Sequence, residues 1–69
     1  MDEKKLMQEI WKEALGLDTL PQTDESFFEL GGNSFIANKI CLVFEEKTGK
    51  TIEIADFFEN DTIDTLISL

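Results

Sequence analysis

The 69-residue sequence has no histidine, no tyrosine and no arginine, and it contains only one cysteine, Cys41, and one proline, Pro21. The absence of histidine removes the most common general base and metal ligand of proteins. A single cysteine allows neither an internal disulfide nor a cysteine-rich zinc site, and the acidic residues do not follow the spacing of a calcium loop. We therefore expect neither an enzyme nor a metal site, and we expect a reducing, cytoplasmic environment.

Basic residues are scarce, since six lysines stand against 15 acidic residues and give a net charge of −9. Because phosphate groups repel such a chain, neither nucleic acid nor an anionic membrane is expected as a partner. Basic patches on other proteins are its natural complement, although the same charge also serves simply to keep a small domain dissolved. The N-terminus does not read as a signal peptide, and no apolar run approaches the roughly 18 residues of a membrane span.

Hydrophobic spacing predicts an all-α fold. Apolar residues three and four positions apart predict a first helix over 3–15 and a second over 34–48. A third, short helix is predicted over 54–58, and a last helix follows a cap at Asp61 or Thr62. The result is a small bundle of three main helices plus one short helix, with a long loop between helices 1 and 2.

That long loop, residues 16–33, is the unusual element of the predicted bundle. Pro21 and the polar run over 22–26 prevent a continuous helix, and connections of this length in compact domains are often functional. A single helical turn is expected over 26–30. Apart from Phe35, the phenylalanines are assigned to the core together with the single tryptophan.

The second helix has two apolar faces of different size. Five residues fall within one arc of about 140° and form the predicted core face: Ile36, Ala37, Ile40, Cys41 and Phe44. Phe35 and Leu42 lie outside this arc, seven residues apart and nearly superimposed. They are either a docking stripe or ordinary exposed apolar residues.

The most informative segment is a glycine loop that runs into the second helix at Ser34. Gly31 and Gly32 permit positive φ and let another chain approach the backbone closely. At the helix start, free N–H groups and the helix dipole favour a phosphate. A serine there is equally a common helix N-cap and the glycines a common turn, so the local pattern alone leaves both interpretations open.

The wider sequence resembles the peptidyl carrier (thiolation) domains of nonribosomal peptide synthetases, which belong to the acyl carrier protein superfamily. The matching residues spread over nearly the whole chain: Ile10, Trp11, Leu15, Gly16, Asp24, the run Phe27 to Gly32, Gly49, the run Phe57 to Glu59, Thr62 and Ile63. The resemblance implies that Ser34 accepts 4′-phosphopantetheine from coenzyme A through a separate phosphopantetheinyl transferase, with Gly31, Gly32 and Asn33 as its motif. The terminal thiol of that arm then carries an aminoacyl or peptidyl group as a thioester.

The resemblance further implies that residues 1–69 form one monomeric, non-catalytic carrier domain. Such a carrier passes its cargo between adenylation, condensation and thioesterase or other tailoring enzymes. Carriers of this family dock partly through the start of the second helix, which favours a docking role for the stripe of Phe35 and Leu42. The residues assigned to partner binding are Asn33, Phe35, Asn38, Lys39, Leu42 and, in the third helix, Phe57.

Some positions depart from the family pattern. Asn33 stands where peptidyl carriers usually have His or Asp, and Phe35 stands where Leu is usual. Glu53 and Asp61 stand where Pro is frequent, and we interpret them as local loop differences.

Two other functions compete with the peptidyl carrier. One is an acyl carrier of a polyketide or hybrid pathway, although the Leu-Gly-Gly-x-Ser form ending at Ser34 favours the peptidyl class. The other, of a different class, is an unmodified helical module that binds partners through Phe35, Leu42 and acidic surfaces.

Overall fold

The computed structural model describes residues 2–68, and every regular element in that range is a helix. The helices are α1 (Glu3–Leu15), α2 (Ser34–Thr48), α3 (Ile54–Glu59) and α4 (Ile63–Ile67). The predicted all-α bundle is confirmed. The bounds of α1 and α2 agree with the prediction, and α3 is one residue longer than predicted.

Polar side chains and glycines fix the ends of these helices. Asp2 accepts a hydrogen bond from the backbone N–H of Lys4 at 3.0 Å, which satisfies a free donor at the start of α1. Gly16 and Gly49 end α1 and α2 in the left-handed conformation, with φ of 69° and 77°. Of the two caps predicted for α4, the structure selects Thr62.

One hydrophobic core joins all four helices to the long connection. Its buried residues are Met7, Ile10, Trp11, Phe27, Ala37, Ile40, Cys41, Phe44, Ile52, Phe57, Ile63 and Leu66. Three of them, Trp11, Phe27 and Phe57, form an aromatic core in which the ring centroids lie 4.7 to 6.3 Å apart. Phe27 thereby fastens the long connection to the middle of the bundle.

Hydrogen bonds to α1 and α4 also hold the connection over 16–33. The side-chain amide of Gln8 donates to the carbonyl oxygen of Pro21 at 2.6 Å. The backbone N–H of Asp64 donates to the carbonyl oxygen of Thr23 at 3.0 Å. These bonds leave the connection in a defined path although it contains little regular structure.

The predicted helical turn over 26–30 is present, and it ends directly at the glycine loop. The N–H of Leu30 donates to the carbonyl oxygen of Ser26 at 3.1 Å, which is the spacing of one α-helical turn.

Two aromatic assignments to the core are wrong. Phe28 is 39% exposed and Phe58 is 61% exposed. In each case the preceding residue, Phe27 or Phe57, takes the core position, and neighbours on a helix or helical turn point about 100° apart. Phe57 was also assigned to partner binding, and that assignment is wrong because a fully buried ring cannot contact a partner.

None of the helices described over residues 2–68 is long and apolar enough to cross a membrane.

Candidate functional site

Ser34 is the first residue of α2, and it is exposed. The helix cap is Asn33, whose Oδ1 accepts a hydrogen bond from the N–H of Ile36 at 3.0 Å. The interpretation of Ser34 as the N-cap is therefore wrong. Within residues 2–68 the Ser34 hydroxyl has no hydrogen-bond partner, so it does not stabilise the start of α2.

The two glycines before this helix are required for different reasons. Gly31 has a φ of 98°, a conformation that residues with a Cβ rarely adopt. At Gly32 a Cβ atom would collide with the ring of Phe27. The sequence predicted a close approach by another chain, whereas the structure places a ring of the same chain there. The loop leading to Ser34 is thus packed directly on the aromatic core.

The surroundings of Ser34 fit a phosphate-bearing substituent. The N–H groups of Ser34 and Phe35 find no acceptor in the described part of the chain, as expected for the first turn of a helix. That turn contains no acidic residue, and Asn33 is a neutral cap. A phosphodiester on the Ser34 oxygen would therefore meet free donors and the positive end of the helix dipole, with no carboxylate from the first turn of α2.

Cys41 lies on the core face of α2, as predicted, and is 8% exposed. Burial raises the pKa of its thiol above the ordinary value, and the nearby Asp56 carboxylate acts in the same direction. A protonated, buried thiol is a poor nucleophile. Cys41 is thus part of the packing, and any thiol chemistry at this surface has to come from an added group.

The predicted docking stripe is exposed on α2. Phe35 is 90% exposed and Leu42 is 60% exposed, and Asn38 and Lys39 between them are also exposed. At 100° per residue these four side chains share one face of the helix, which begins beside Ser34. The structure brings these predicted residues together with the serine, and it separates them from the buried Phe57.

Glu53 and Asp61, interpreted as local loop differences, each make a specific contact. The N–H of Glu53 donates to the Asp56 carboxylate at 3.0 Å at the start of α3. Asp61 accepts the Ser26 hydroxyl at 2.7 Å and, through its carbonyl oxygen, the N–H of Phe27 at 2.6 Å. Asp61 therefore links the α3–α4 junction to the long connection across 35 positions in the sequence.

Sequence reasoning also missed an exposed ring pair. The rings of Phe28 and Phe58 stack with centroids 5.4 Å apart and planes at 25°. The signal that could have found it is the repeated doublet: in Phe27-Phe28 and in Phe57-Phe58, neighbouring side chains on one turn cannot both point inward.

The sequence matches a known family model and is similar to segments of known peptide synthetases. The family model described as "Phosphopantetheine attachment site" matches residues 5–69. Bacitracin synthase 1 of Bacillus licheniformis is 36% identical over 84% of this chain, and nonribosomal peptide synthetase 1 of Aspergillus fumigatus is 39% identical over 99% of it. The present chain spans only about 1% of the length of each.

Among solved structures, the chain is similar to BlmI from Streptomyces verticillus, described as a type-II acyl-carrier-protein involved in bleomycin biosynthesis. The TM-score is 0.84 at 32% identity, and the match covers 94% of this chain and 77% of that one. The similarity therefore extends over almost the entire helical bundle.

Proposed function

We propose, from the premise that the chain belongs to the phosphopantetheine attachment-site family, that Ser34 is the residue to which its 4′-phosphopantetheine is attached. As a member of that family the chain is a non-catalytic carrier domain. One observation supports Ser34 as the attachment site: its hydroxyl is exposed and forms no hydrogen bond within residues 2–68. The hydroxyl is free because Asn33, and not Ser34, caps α2.

In the proposed attachment, the Ser34 oxygen forms a bond to a phosphorus atom of the pyrophosphate in coenzyme A. The phosphorus–oxygen bond to the nucleotide breaks, and adenosine 3′,5′-bisphosphate leaves. The hydroxyl proton passes to a base of the phosphopantetheinyl transferase, because this chain has no histidine and places no carboxylate in the first turn of α2. Once attached, the arm supplies a terminal thiol for thioester formation, which the buried Cys41 cannot supply.

The residues around Ser34 position the group and do no chemistry. Asn33 fixes the start of α2, so that Ser34 keeps a defined direction. The free N–H groups and the dipole of α2 stabilise a phosphodiester by about 0.3–1 kcal/mol, which is too little to create a binding site without the covalent bond. Gly31 and Gly32 let the loop reach Ser34 while it stays packed on Phe27.

We propose an aminoacyl or peptidyl cargo, a monomeric domain over residues 1–69 and a cytoplasmic location. Support for the cargo comes from the names of the relatives, which are peptide synthetases, and from the Leu-Gly-Gly-x-Ser motif that ends at Ser34. Partners are then a phosphopantetheinyl transferase and the adenylation, condensation and thioesterase or tailoring enzymes that use the cargo. Because the chain has no histidine and the first turn of α2 has no carboxylate, those enzymes supply the acid–base chemistry.

One alternative cargo has an observation in its favour. The solved structure of BlmI, to which this chain is similar, is described as an acyl-carrier-protein, which fits an acyl carrier of a polyketide or hybrid pathway. Loading assays that offer the modified chain to amino acid adenylation enzymes and to acyl transferases separate the two. Loading by the second class alone would favour the acyl carrier.

The exposed stripe of Phe35, Asn38, Lys39 and Leu42 is the proposed docking face of α2. Replacing Leu42 by Asp should slow transfer to at least one partner, because buried apolar anchors dominate the energy of an interface. The melting temperature should hardly change, since Leu42 is 60% exposed. Unchanged transfer kinetics with every partner would contradict the assignment.

Attachment itself is tested by intact-mass spectrometry after incubation with coenzyme A and a broad-specificity phosphopantetheinyl transferase. We expect the wild-type chain to gain one phosphopantetheine and Ser34→Ala to gain none. Ser68→Ala is the matched control, because that serine is also exposed but lies after α4. A gain that persists in Ser34→Ala would refute the site. A folded wild-type chain that gains nothing, beside a carrier that is modified in the same tube, would favour the unmodified interaction module.

A further inference from the structure

Phe28 and Phe58 form a contiguous apolar patch on the surface, here called the Phe28–Phe58 pair. The two rings stack at 5.4 Å although they are 39% and 61% exposed. Phe28 also packs edge-on against the buried Phe27, with centroids 5.3 Å apart. Single exposed apolar residues are normal, but exposed rings that stack on each other keep a fixed apolar surface facing solvent.

The two segments that carry these rings are tied together by hydrogen bonds. The Ser26 hydroxyl donates to the Asp61 carboxylate at 2.7 Å, and the N–H of Phe27 donates to the Asp61 carbonyl oxygen at 2.6 Å. Each of these residues lies within three positions of one of the rings. The Phe28–Phe58 pair is therefore ordered before any partner arrives, which lowers the entropic cost of binding.

The two segments that carry the rings have charged residues of one sign only. The connection over 16–33 has four acidic residues and no lysine, and the segment over 51–68 has five acidic residues and no lysine. Glu29 and Glu59 follow the two rings directly, are exposed, and form no ion pair with any residue that the structure describes. A second copy of this chain would bring the same charge, so the complementary partner is a different protein with Lys or Arg around an apolar site.

The short distance between Phe28 and Ser34 indicates which enzyme contacts the Phe28–Phe58 pair. Phe28 is six residues from Ser34, and even a fully extended chain of that length spans only about 20 Å. The turn shortens this distance, since the N–H of Gly31 donates back to the Phe28 carbonyl oxygen at 3.2 Å. An ordinary interface of about 800 Å² per partner is roughly 30 Å across, which exceeds this distance, so a single enzyme can contact Ser34 and Phe28 at the same time.

We propose that the Phe28–Phe58 pair is a docking surface for the transferase that modifies Ser34, in addition to the stripe on α2. The occupant is an apolar side chain on an enzyme surface rimmed by Lys or Arg. An enzyme that holds coenzyme A beside Ser34 needs such cations, because the phosphates of coenzyme A are bound by charge-assisted hydrogen bonds. The inference rests on the proposed function, since it requires modification at Ser34.

The test is the initial rate of phosphopantetheine transfer by a broad-specificity phosphopantetheinyl transferase, measured against carrier concentration. Phe58→Ala should raise KM about tenfold and leave kcat nearly unchanged, because the pair contacts the enzyme and not the reacting atoms. Glu59→Lys should also raise KM, and the effect should shrink at high salt. Glu9→Lys is the matched control, with the same charge change at an exposed position on α1, and should change KM by twofold or less.

Thermal melts accompany the kinetics, so that a folding defect is not mistaken for a docking defect. A KM for Phe58→Ala within twofold of wild type would overturn the inference, as would equal effects of Glu59→Lys and Glu9→Lys. An unchanged KM combined with slower loading by an adenylation enzyme would overturn the transferase as the occupant. A wild-type chain that is never modified would instead overturn the proposed function at Ser34, so the two failures are distinguishable.

Discussion

Phe27 and Ser34 are only seven residues apart, yet they belong to regions with opposite properties. Phe27 is fully buried in the aromatic core with Trp11 and Phe57. Ser34 opens an exposed turn of α2, and the next residue, Phe35, is 90% exposed. A chain of this size has a net stability of only about 3–5 kcal/mol. The buried rings of the aromatic core are therefore distinct from Ser34 and from the exposed stripe on α2, so each set can be changed without the other.

The largest expected effect lies in the aromatic core. Phe27→Ala should destabilise the domain by about 3–5 kcal/mol, which equals its whole stability and leaves much of the chain unfolded. Phe28→Ala is the matched control one position away, and it should cost about 1 kcal/mol because that ring is partly exposed. Circular dichroism in urea measures both. Equal losses would contradict the assignment of Phe27 to the core and of Phe28 to the surface.

A smaller effect is expected at the boundary between the two regions. Asn33→Ala removes the cap of α2 and should cost about 1 kcal/mol, whereas Asn33→Asp keeps an acceptor for the Ile36 N–H and should retain the stability. The free energy of unfolding in urea checks this. If Asn33→Ala were as stable as wild type, the cap would not fix Ser34 in place.

The smallest effect is expected at the ion pair of Lys4 and Asp64, which joins α1 to α4 at 2.9 Å. The hydrogen bond from Lys4 lowers the pKa of Asp64 below its ordinary value. A lowered carboxyl pKa means that the stabilisation is complete above the unfolded-state pKa and is lost as the pH falls through the folded-state pKa. The difference in melting temperature between wild type and Asp64→Asn should therefore be small at neutral pH and vanish in acid. A difference that grew in acid would contradict this.

The helices could be predicted from the sequence because their signals are local. Spacing and capping glycines gave the bounds of α1 and α2, and the core face of α2 was found from its 100° periodicity. The position of Ser34 at a helix start was predicted as well. The choice of Asn33 over Ser34 as the cap was not, because both side chains are good caps and only the backbone geometry decides between them.

Long-range contacts could not be predicted from the sequence. The hydrogen bond between Ser26 and Asp61 joins residues 35 positions apart, and no sequence pattern next to either residue predicts it. The doublets Phe27-Phe28 and Phe57-Phe58 show a second reason. Composition marks all four rings as core candidates, and only the packing of the turn and of α3 decides which ring of each doublet is buried.

Attachment of the arm at Ser34 can be tested in the wild-type chain by locating the modified residue. Trypsin cleaves after Lys12 and Lys39, and the resulting peptide over 13–39 contains both Ser26 and Ser34. Tandem mass spectrometry of this peptide after modification should place one phosphopantetheine on Ser34, because Ser26 is engaged with Asp61. Phosphopantetheine on Ser26, or on any other peptide, would contradict the account.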